Sequence, residues 1–143
     1  MKMTPFFKGF FIITILIVLV AALVTWKWVF KEQDKSVGSQ AADMVVPAGL
    51  LVKDFENDEN KANLKYLNKV IVVTGLTDNK TENDKNITVV LKSNNDVAGV
   101  SCSFDKTTLG NTGFEKGKTI KVKGVCTGFL MDVVLIRCVL ITN

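Results

Sequence analysis

The first thirty residues contain one long apolar segment. Between Lys8 and Lys27, eighteen residues without a charged side chain read "GFFIITILIVLVAALVTW". As a helix this run extends roughly 27 Å, close to the hydrocarbon thickness of a bilayer. A buried helix of a soluble core normally keeps a polar face, and this run has none. The pattern predicts one N-terminal transmembrane helix over residues 1–30, whose apolar part begins at Gly9 and ends at Trp26.

The same segment also has the features of an export sequence. A cleaved signal peptide is the alternative, with "VAA" at residues 20–22 as a possible cleavage site. The apolar run continues past that site, which favours an uncleaved signal-anchor. A short N-terminal tail usually stays in the cytoplasm. Residues 31–143 are therefore predicted to lie outside the cytoplasm, on the periplasmic side of a single-pass membrane protein.

A linker and an amphipathic helix are predicted next. Residues 31–46, "KEQDKSVGSQAADMVV", are small, polar and mixed in charge, as is typical of a linker. Residues 47–143 are assigned to one folded domain, and Pro47 suits the first turn of its helix. Apolar residues then recur at helical spacing, with an interruption near residues 57–60; this predicted packing stripe comprises Leu51, Phe55, Ala62 and Tyr66.

Beyond residue 68 the spacing of apolar positions changes to that of β-strands. Five strands are predicted, and the longest insert lies between the third and the fourth: 69–76, 86–93, 99–104, 118–129 and 133–141. Five strands at this spacing predict a mainly β fold, the five-stranded Greek-key barrel called the OB-fold. Gly75 and Gly124 are expected where strands of such a barrel bend sharply.

Four segments of the domain carry a family resemblance: "ENDENKANLKYLNKVIVVTG", "GVSCSF", "KGKTIKVKGVCTG" and "DVVLIRCVLI". Their order and spacing resemble the tRNA-anticodon-like OB-fold family over roughly residues 48–142. The matching positions are Phe55, Glu59, Ala62, Tyr66, Lys69, Thr74, Gly75, Cys102, Gly117, Gly124, Gly128 and Cys138. The resemblance implies the barrel fold, and it implies kinship with exported or membrane-attached bacterial proteins of unassigned activity. The family name records a fold analogy and does not fix a function.

The three cysteines are all predicted to point into the barrel. Strand alternation groups each thiol with apolar neighbours: Cys102 with Val100 and Phe104, Cys126 with Ile120 and Val122, Cys138 with Val134, Ile136 and Leu140. In an OB barrel the third strand lies beside the fifth, which favours a Cys102–Cys138 disulfide in an oxidising compartment. A Cys126–Cys138 pair and three reduced thiols remain as alternatives.

The charge of the domain argues against a nucleic-acid partner. The chain carries a net charge of +4, but residues 1–35 account for +3 of it, which leaves the rest nearly neutral. The predicted loop at residues 77–86 is net negative, and Phe104 is the one aromatic residue in the second and third predicted strands. One possible basic face remains, which is more simply a solvated strand surface: Lys116, Lys118, Lys121 and Lys123.

Enzymatic chemistry is not expected. The chain has no histidine, no CxxC pair and no finger-like cysteine spacing, so neither a catalytic triad nor a metal cofactor is predicted. The acidic side chains at residues 54–59 are interpreted as a solvated helix surface. The sequence thus predicts a binding module outside the cytoplasm. It would contact membrane lipid through its helix and an envelope protein, glycan or small ligand through its barrel. The alternative is a module facing the cytoplasm that binds tRNA or single-stranded RNA.

Overall fold

The structure is a computed structural model that describes residues 15–25, 36–93, 97–109 and 113–142. The chain divides into two compact units, Met1–Lys35 and Ser36–Asn143. In the first unit, residues 15–25 form helix α1, and its large aliphatic side chains are at least half exposed. Thr25 donates its hydroxyl to carbonyl oxygens one turn back.

The predicted anchor is only partly covered by these residues. Within the described ranges, no helix combines the length and the hydropathy that a membrane span requires. The rest of the predicted segment, including Gly9 and Trp26, lies outside the described residues.

The described part of the second unit contains strands, helices and one 3-10 turn. In chain order they are the 3-10 helix Val37–Ser39, β1 Met44–Pro47, α2 Ala48–Asn57, α3 Glu59–Tyr66, β2 Val70–Glu82, β3 Asn86–Lys92, β4 Gly99–Asp105, α4 Lys106–Leu109, β5 Thr119–Phe129 and β6 Val133–Ile141. The five predicted strands correspond to β2–β6. Strand β2 runs six residues further than predicted, into the polar segment before β3.

Strands β2–β6 close into a barrel. The first half of β2 pairs antiparallel with β5 and its second half with β3. Strand β3 continues antiparallel to β4, β4 runs parallel to β6, and β6 returns antiparallel to β5. This closed order is that of an OB-fold, so the predicted mainly β barrel is confirmed. Inward positions alternate along the strands, as at Ile87, Val89 and Leu91, which are all buried.

Residues 36–47 form a strap along the outside of the barrel. Strand β1 lies parallel to the start of β2, and Val46 is buried in the main core. Val37 is buried in a smaller cluster with Val70 and Val125. Asp43 forms two hydrogen bonds with the backbone of Val70. Its carboxylate accepts from the Val70 N–H, and its own N–H donates to the Val70 carbonyl.

The strap differs from the linker predicted over residues 31–46. Within its described part, the segment buries two valines and adds a strand to the sheet, so the folded unit begins earlier than residue 47. Its polar composition conceals this, because the attachment relies on a short strand pairing, two valines and one carboxylate.

Helices α2 and α3 cover one end of the barrel with the predicted stripe. All four stripe residues are buried: Leu51, Phe55, Ala62 and Tyr66. The predicted interruption falls at Asp58, whose extended backbone ends α2. Its side chain then accepts a hydrogen bond from the Lys61 N–H at 3.0 Å and caps α3.

Candidate functional site

The outer surface of β3 and β4 is the position where OB-folds bind their ligands. Cross-strand pairing places a row of small side chains there, because paired residues point to the same side of a sheet. We call this surface the strand face; it comprises Asn79, Thr81, Thr88, Val90, Ser101, Ser103 and Val134. None of these seven side chains is charged or aromatic, and four of them carry hydroxyl groups. Strand alternation extends the same outer surface to the exposed Lys92 at one end and the exposed Asp105 at the other, so the charged side chains on β3 and β4 lie at its ends and not at its centre.

Exposed aliphatic side chains border the strand face at one end. Val97, Leu130 and Met131 are 84–89% exposed, and we call them the apolar rim. The Asp132 carboxylate accepts a hydrogen bond from the Gly99 N–H at 2.7 Å, which ties the β5–β6 turn to the start of β4. Val97 and Val90 line the same cleft of about 120 Å³, so the rim and the face are continuous.

The four lysines predicted as a possible basic face are mostly engaged. Lys116 pairs with Asp78 at 3.0 Å, and Lys118 pairs with Glu115 at 2.6 Å. Lys123 donates to the carbonyl of Gly38 in the strap at 3.0 Å. Lys121 occupies an exposed position on β5. Two of the four charges are thus compensated by neighbouring acids. The row lies on β5 and the segment before it, and Asp78, the partner of Lys116, lines the same cleft as Val90.

All three cysteines are buried, as their inward orientation predicted, and each is a free thiol in the structure. The favoured Cys102–Cys138 disulfide stays a prediction. Of the three predicted neighbours of Cys138, Val134 and Ile136 were wrong, whereas Leu140 packs against the same core. Arg137 has a backbone φ of +52°, and the alternation of β6 shifts there, so that Ile136 and Arg137 are both exposed. Cys138 therefore joins the buried side of the strand together with Leu135.

Cys138 and Cys102 are in side-chain contact. The Cys102 thiol donates a weak hydrogen bond to the Val100 carbonyl at 3.8 Å. The neighbouring Cys138 thiol, and then burial, raise the pKa of Cys102 well above its usual value. Burial likewise raises the pKa of Cys126. Thiols held protonated in this way are poor nucleophiles, which argues against thiol catalysis in the folded barrel. No group of three or more metal-ligating side chains is assembled anywhere in the described ranges.

Comparison with known families identifies the fold group of this chain. The model of the family described as tRNA_anti-like matches residues 1–140. The chain belongs to the tRNA_anti-like family. None of the curated proteins matches it. The crystal structure of a "putative nucleic acid-binding lipoprotein" from Klebsiella pneumoniae subsp. pneumoniae MGH 78578 is similar, with a TM-score of 0.54 and 14% identity. The match covers 76% of this chain and 98% of that one. At this identity the likeness shows the fold alone.

One polar cluster of this tRNA_anti-like domain is not apparent from the sequence pattern, which assigns Asp54 to a solvated acidic surface. In the structure Asp54 accepts a hydrogen bond from the Tyr66 hydroxyl at 2.6 Å and an ion-paired bond from Lys65 at 2.9 Å. The Tyr66 hydroxyl and the Lys65 ammonium lower the pKa of Asp54. Burial, and then the Asp54 carboxylate, raise the pKa of Tyr66.

The same cluster joins α2 to α3. Lys65 also lies 4.8 Å from the centre of the Tyr66 ring, and its pKa is raised by the Tyr66 and Asp54 side chains. Each of these shifts favours the protonation state already present at neutral pH. Such a cluster stabilises the helix pair and does not supply a proton-transfer group.

Proposed function

We propose that this protein is a membrane-anchored OB-fold binding module that stands outside the cytoplasm and binds an envelope protein through the strand face. The observation that carries the proposal is the composition of that surface. A neutral face of small side chains is bordered by three strongly exposed aliphatic residues, Val97, Leu130 and Met131.

A protein partner suits this surface better than a phosphate-bearing one. Binding of single-stranded nucleic acid relies on a cationic groove and on aromatic side chains that stack with bases. The seven residues of the strand face supply neither. Interfaces between proteins instead bury apolar anchors within a surface of neutral hydrogen-bonding groups, and charged residues are depleted from their cores. The apolar rim would provide such anchors.

The location rests on the sequence of the N-terminal unit. The uncharged run from Gly9 to Trp26 has the length of a membrane span, and the described part of it, residues 15–25, is helical with exposed aliphatic side chains. The similar Klebsiella protein is named a lipoprotein, which agrees with attachment to a membrane. An impermeant maleimide applied to intact cells tests this location in a Lys121→Cys variant. Labelling before lysis is expected, whereas labelling only after lysis would place the barrel in the cytoplasm.

Site-specific photo-crosslinking tests the partner. A photoreactive residue is placed at Ser101, in the centre of the strand face, and in a second variant at Lys121, on the exposed surface of β5. The face position is expected to yield one discrete protein adduct in intact cells, and the β5 position is expected to yield none. Equal adducts from both positions, or none from Ser101, would contradict the proposal.

Nucleic-acid binding is the second candidate, and the naming of the Klebsiella protein as nucleic acid-binding favours it. The test is fluorescence anisotropy of the detergent-solubilised full chain with a single-stranded RNA oligonucleotide over a range of salt concentrations. A protein-binding module should show no saturable binding near physiological salt. Saturable binding that weakens steeply with salt would favour this second candidate instead.

A further inference from the structure

The barrel has a seam between β4 and β6. Among the described residues, the ladder joining these two strands has three residue pairs and ends at Cys102 opposite Leu135. Both strands continue beyond that point, to Asp105 and Ile141. On its other side β4 stays paired with β3 as far as Asp105. The last part of β4 is therefore held to the sheet along one edge only.

A cleft lies beside this seam. It has a volume of about 220 Å³ and is lined by Thr108, Leu109, Cys138, Val139, Leu140 and Thr142. Cys102 stands at the end of the ladder, and Cys138 is one of the residues that line the cleft. Both buried thiols thus lie beside the point where main-chain pairing between the strands stops.

Two local features bring the Cys138 thiol to this position. The left-handed backbone of Arg137, with φ of +52°, shifts the alternation of β6 and turns Cys138 inward. On the neighbouring strand, Gly124 leaves room for the thiol, since a Cβ atom there would lie 2.7 Å from the Cys138 Sγ. A side chain at residue 124 would displace the sulfur from its present place.

We propose that Cys102 and Cys138 form a disulfide that closes the seam between β4 and β6. The bond would join the strands immediately beyond the last pair of their ladder. It would also link residues far apart along the chain, which restricts the unfolded state. Cys126 stays reduced, as a buried apolar side chain on β5.

The oxidation is a thiol–disulfide exchange. One cysteine loses its proton and attacks the disulfide of an external oxidant, such as a protein thiol oxidase of the envelope, and one oxidant thiol leaves. The second cysteine then loses its proton and attacks the mixed disulfide, which releases the second oxidant thiol. Two protein thiols are oxidised and one external disulfide is reduced to two thiols. Because both thiols are buried and out of reach of an external oxidant, the exchange requires folding intermediates or an opened seam. In the cell it rests on the location given under the proposed function.

Controlled redox buffers test the pairing directly. The full chain in detergent is equilibrated with mixtures of reduced and oxidised glutathione, quenched with acid, denatured and alkylated. The intact mass should show three alkylated thiols in reducing buffer and one alkylated thiol as the share of oxidised glutathione rises. Peptide mapping of the oxidised protein should then link Cys102 to Cys138. Three alkylated thiols at every ratio, glutathione adducts in place of an internal bond, or a link through Cys126 would each overturn the proposal.

Matched variants separate the pair from the third thiol. Cys126→Ala should leave the redox midpoint unchanged, whereas Cys102→Ser and Cys138→Ser should each abolish the internal bond. Gly124→Ala retains all three thiols and displaces the Cys138 sulfur. Half-oxidation of this variant should therefore require a glutathione buffer that is roughly tenfold more oxidising. Should that variant fail to fold, the serine variants and Cys126→Ala still decide the pairing. The buffer sets this equilibrium wherever the protein resides, so a negative result here leaves the labelling and crosslinking tests of location and partner unaffected.

Discussion

The two ends of the barrel are closed by different means. At the helical end, Phe55 of α2 is buried, and its ring lies 5.8 Å from Phe129 and 5.9 Å from Tyr66. At the opposite end, which we call the seam end, the ring of Phe114 lies 5.1 Å from Phe104 but is only partly buried. The seam end also contains the cleft beside Cys138. Elements with less burial open at lower free energy, so the seam end should open first.

The largest difference between the ends should appear when each loses its aromatic ring. Phe55→Ala should lower the free energy of unfolding by about 3–5 kcal/mol, because it leaves a cavity among fully buried side chains. Phe114→Ala should cost about half of that or less, because part of the ring already contacts solvent. Urea denaturation of the full chain measures both values. Leu64→Ala serves as the control, since Leu64 is 83% exposed on α3 and should change stability by no more than about 0.5 kcal/mol. Equal losses at residues 55 and 114 would remove the distinction between the ends.

The docking of α2 on the sheet can be tested at Gly75. A Cβ atom at this position would lie 2.9 Å from the Ala48 Cβ and 3.1 Å from the Leu91 Cβ. Neither neighbour can rotate away, because both contacts are to β-carbons. Gly75→Ala should therefore cost about 1–3 kcal/mol of unfolding free energy.

A second substitution makes the Gly75 prediction specific. Ala48→Gly removes the nearer contact at the first residue of α2, and in the double variant it should restore part of the loss. Thermal denaturation of the four proteins in this cycle gives the coupling energy. If the two substitutions changed the unfolding free energy additively, the first residue of α2 would not be in tight contact with β2 at Gly75.

The helical end and the barrel strands were predictable because the spacing of apolar residues within each single helix or strand marks its buried face. The period of two in "KTIKVK" and the helical spacing from Leu51 to Tyr66 each mark a buried face within a single element. The interruption at Asp58 follows the same logic, since a capping side chain and a changed spacing are both visible along the chain. These features needed no knowledge of what packs against them.

The features of the seam end and the strap depend on contacts between distant residues. The inward turn of Cys138 requires a bulge, and the room for its thiol is provided by Gly124 on another strand. The strap docks through Val37 and Val46, in a segment whose composition resembles a linker. Asp54 and Tyr66 are twelve residues apart and lie on different helices, so the periodicity of a single helix does not predict their hydrogen bond. The period alone therefore gave Cys138 two wrong neighbours, Val134 and Ile136, and did not reveal the Asp54 cluster.

The polar cluster of the helical end gives a pH-dependent prediction. Tyr66→Phe removes the hydroxyl that donates to Asp54 and should lower the unfolding free energy at neutral pH by about 1 kcal/mol. The hydroxyl lowers the pKa of Asp54 in the folded state below its ordinary value of 3.8. Its stabilisation is thus fully present above that value and is lost as the pH falls through the lower folded pKa. The difference between the two proteins should therefore shrink below about pH 4. A difference that stays constant from pH 7 to pH 3 would show that packing, and not the charged hydrogen bond, is responsible.

The smallest effects are expected from the exposed ion pairs of the segment that follows Phe114. Lys118 and Glu115 approach to 2.6 Å, but their side chains are 65% and 68% exposed, so solvent screens the pair. Lys118→Gln should therefore change the unfolding free energy by less than about 0.5 kcal/mol. Lys116→Gln, which removes the pair with Asp78, is the matched variant and should behave alike. Denaturation at low and high salt should give the same small differences. A loss above about 1 kcal/mol that disappears in high salt would mean that charge pairs, and not apolar packing, hold the segment after Phe114 in place. The weaker burial of Phe114 would then no longer predict which end opens first.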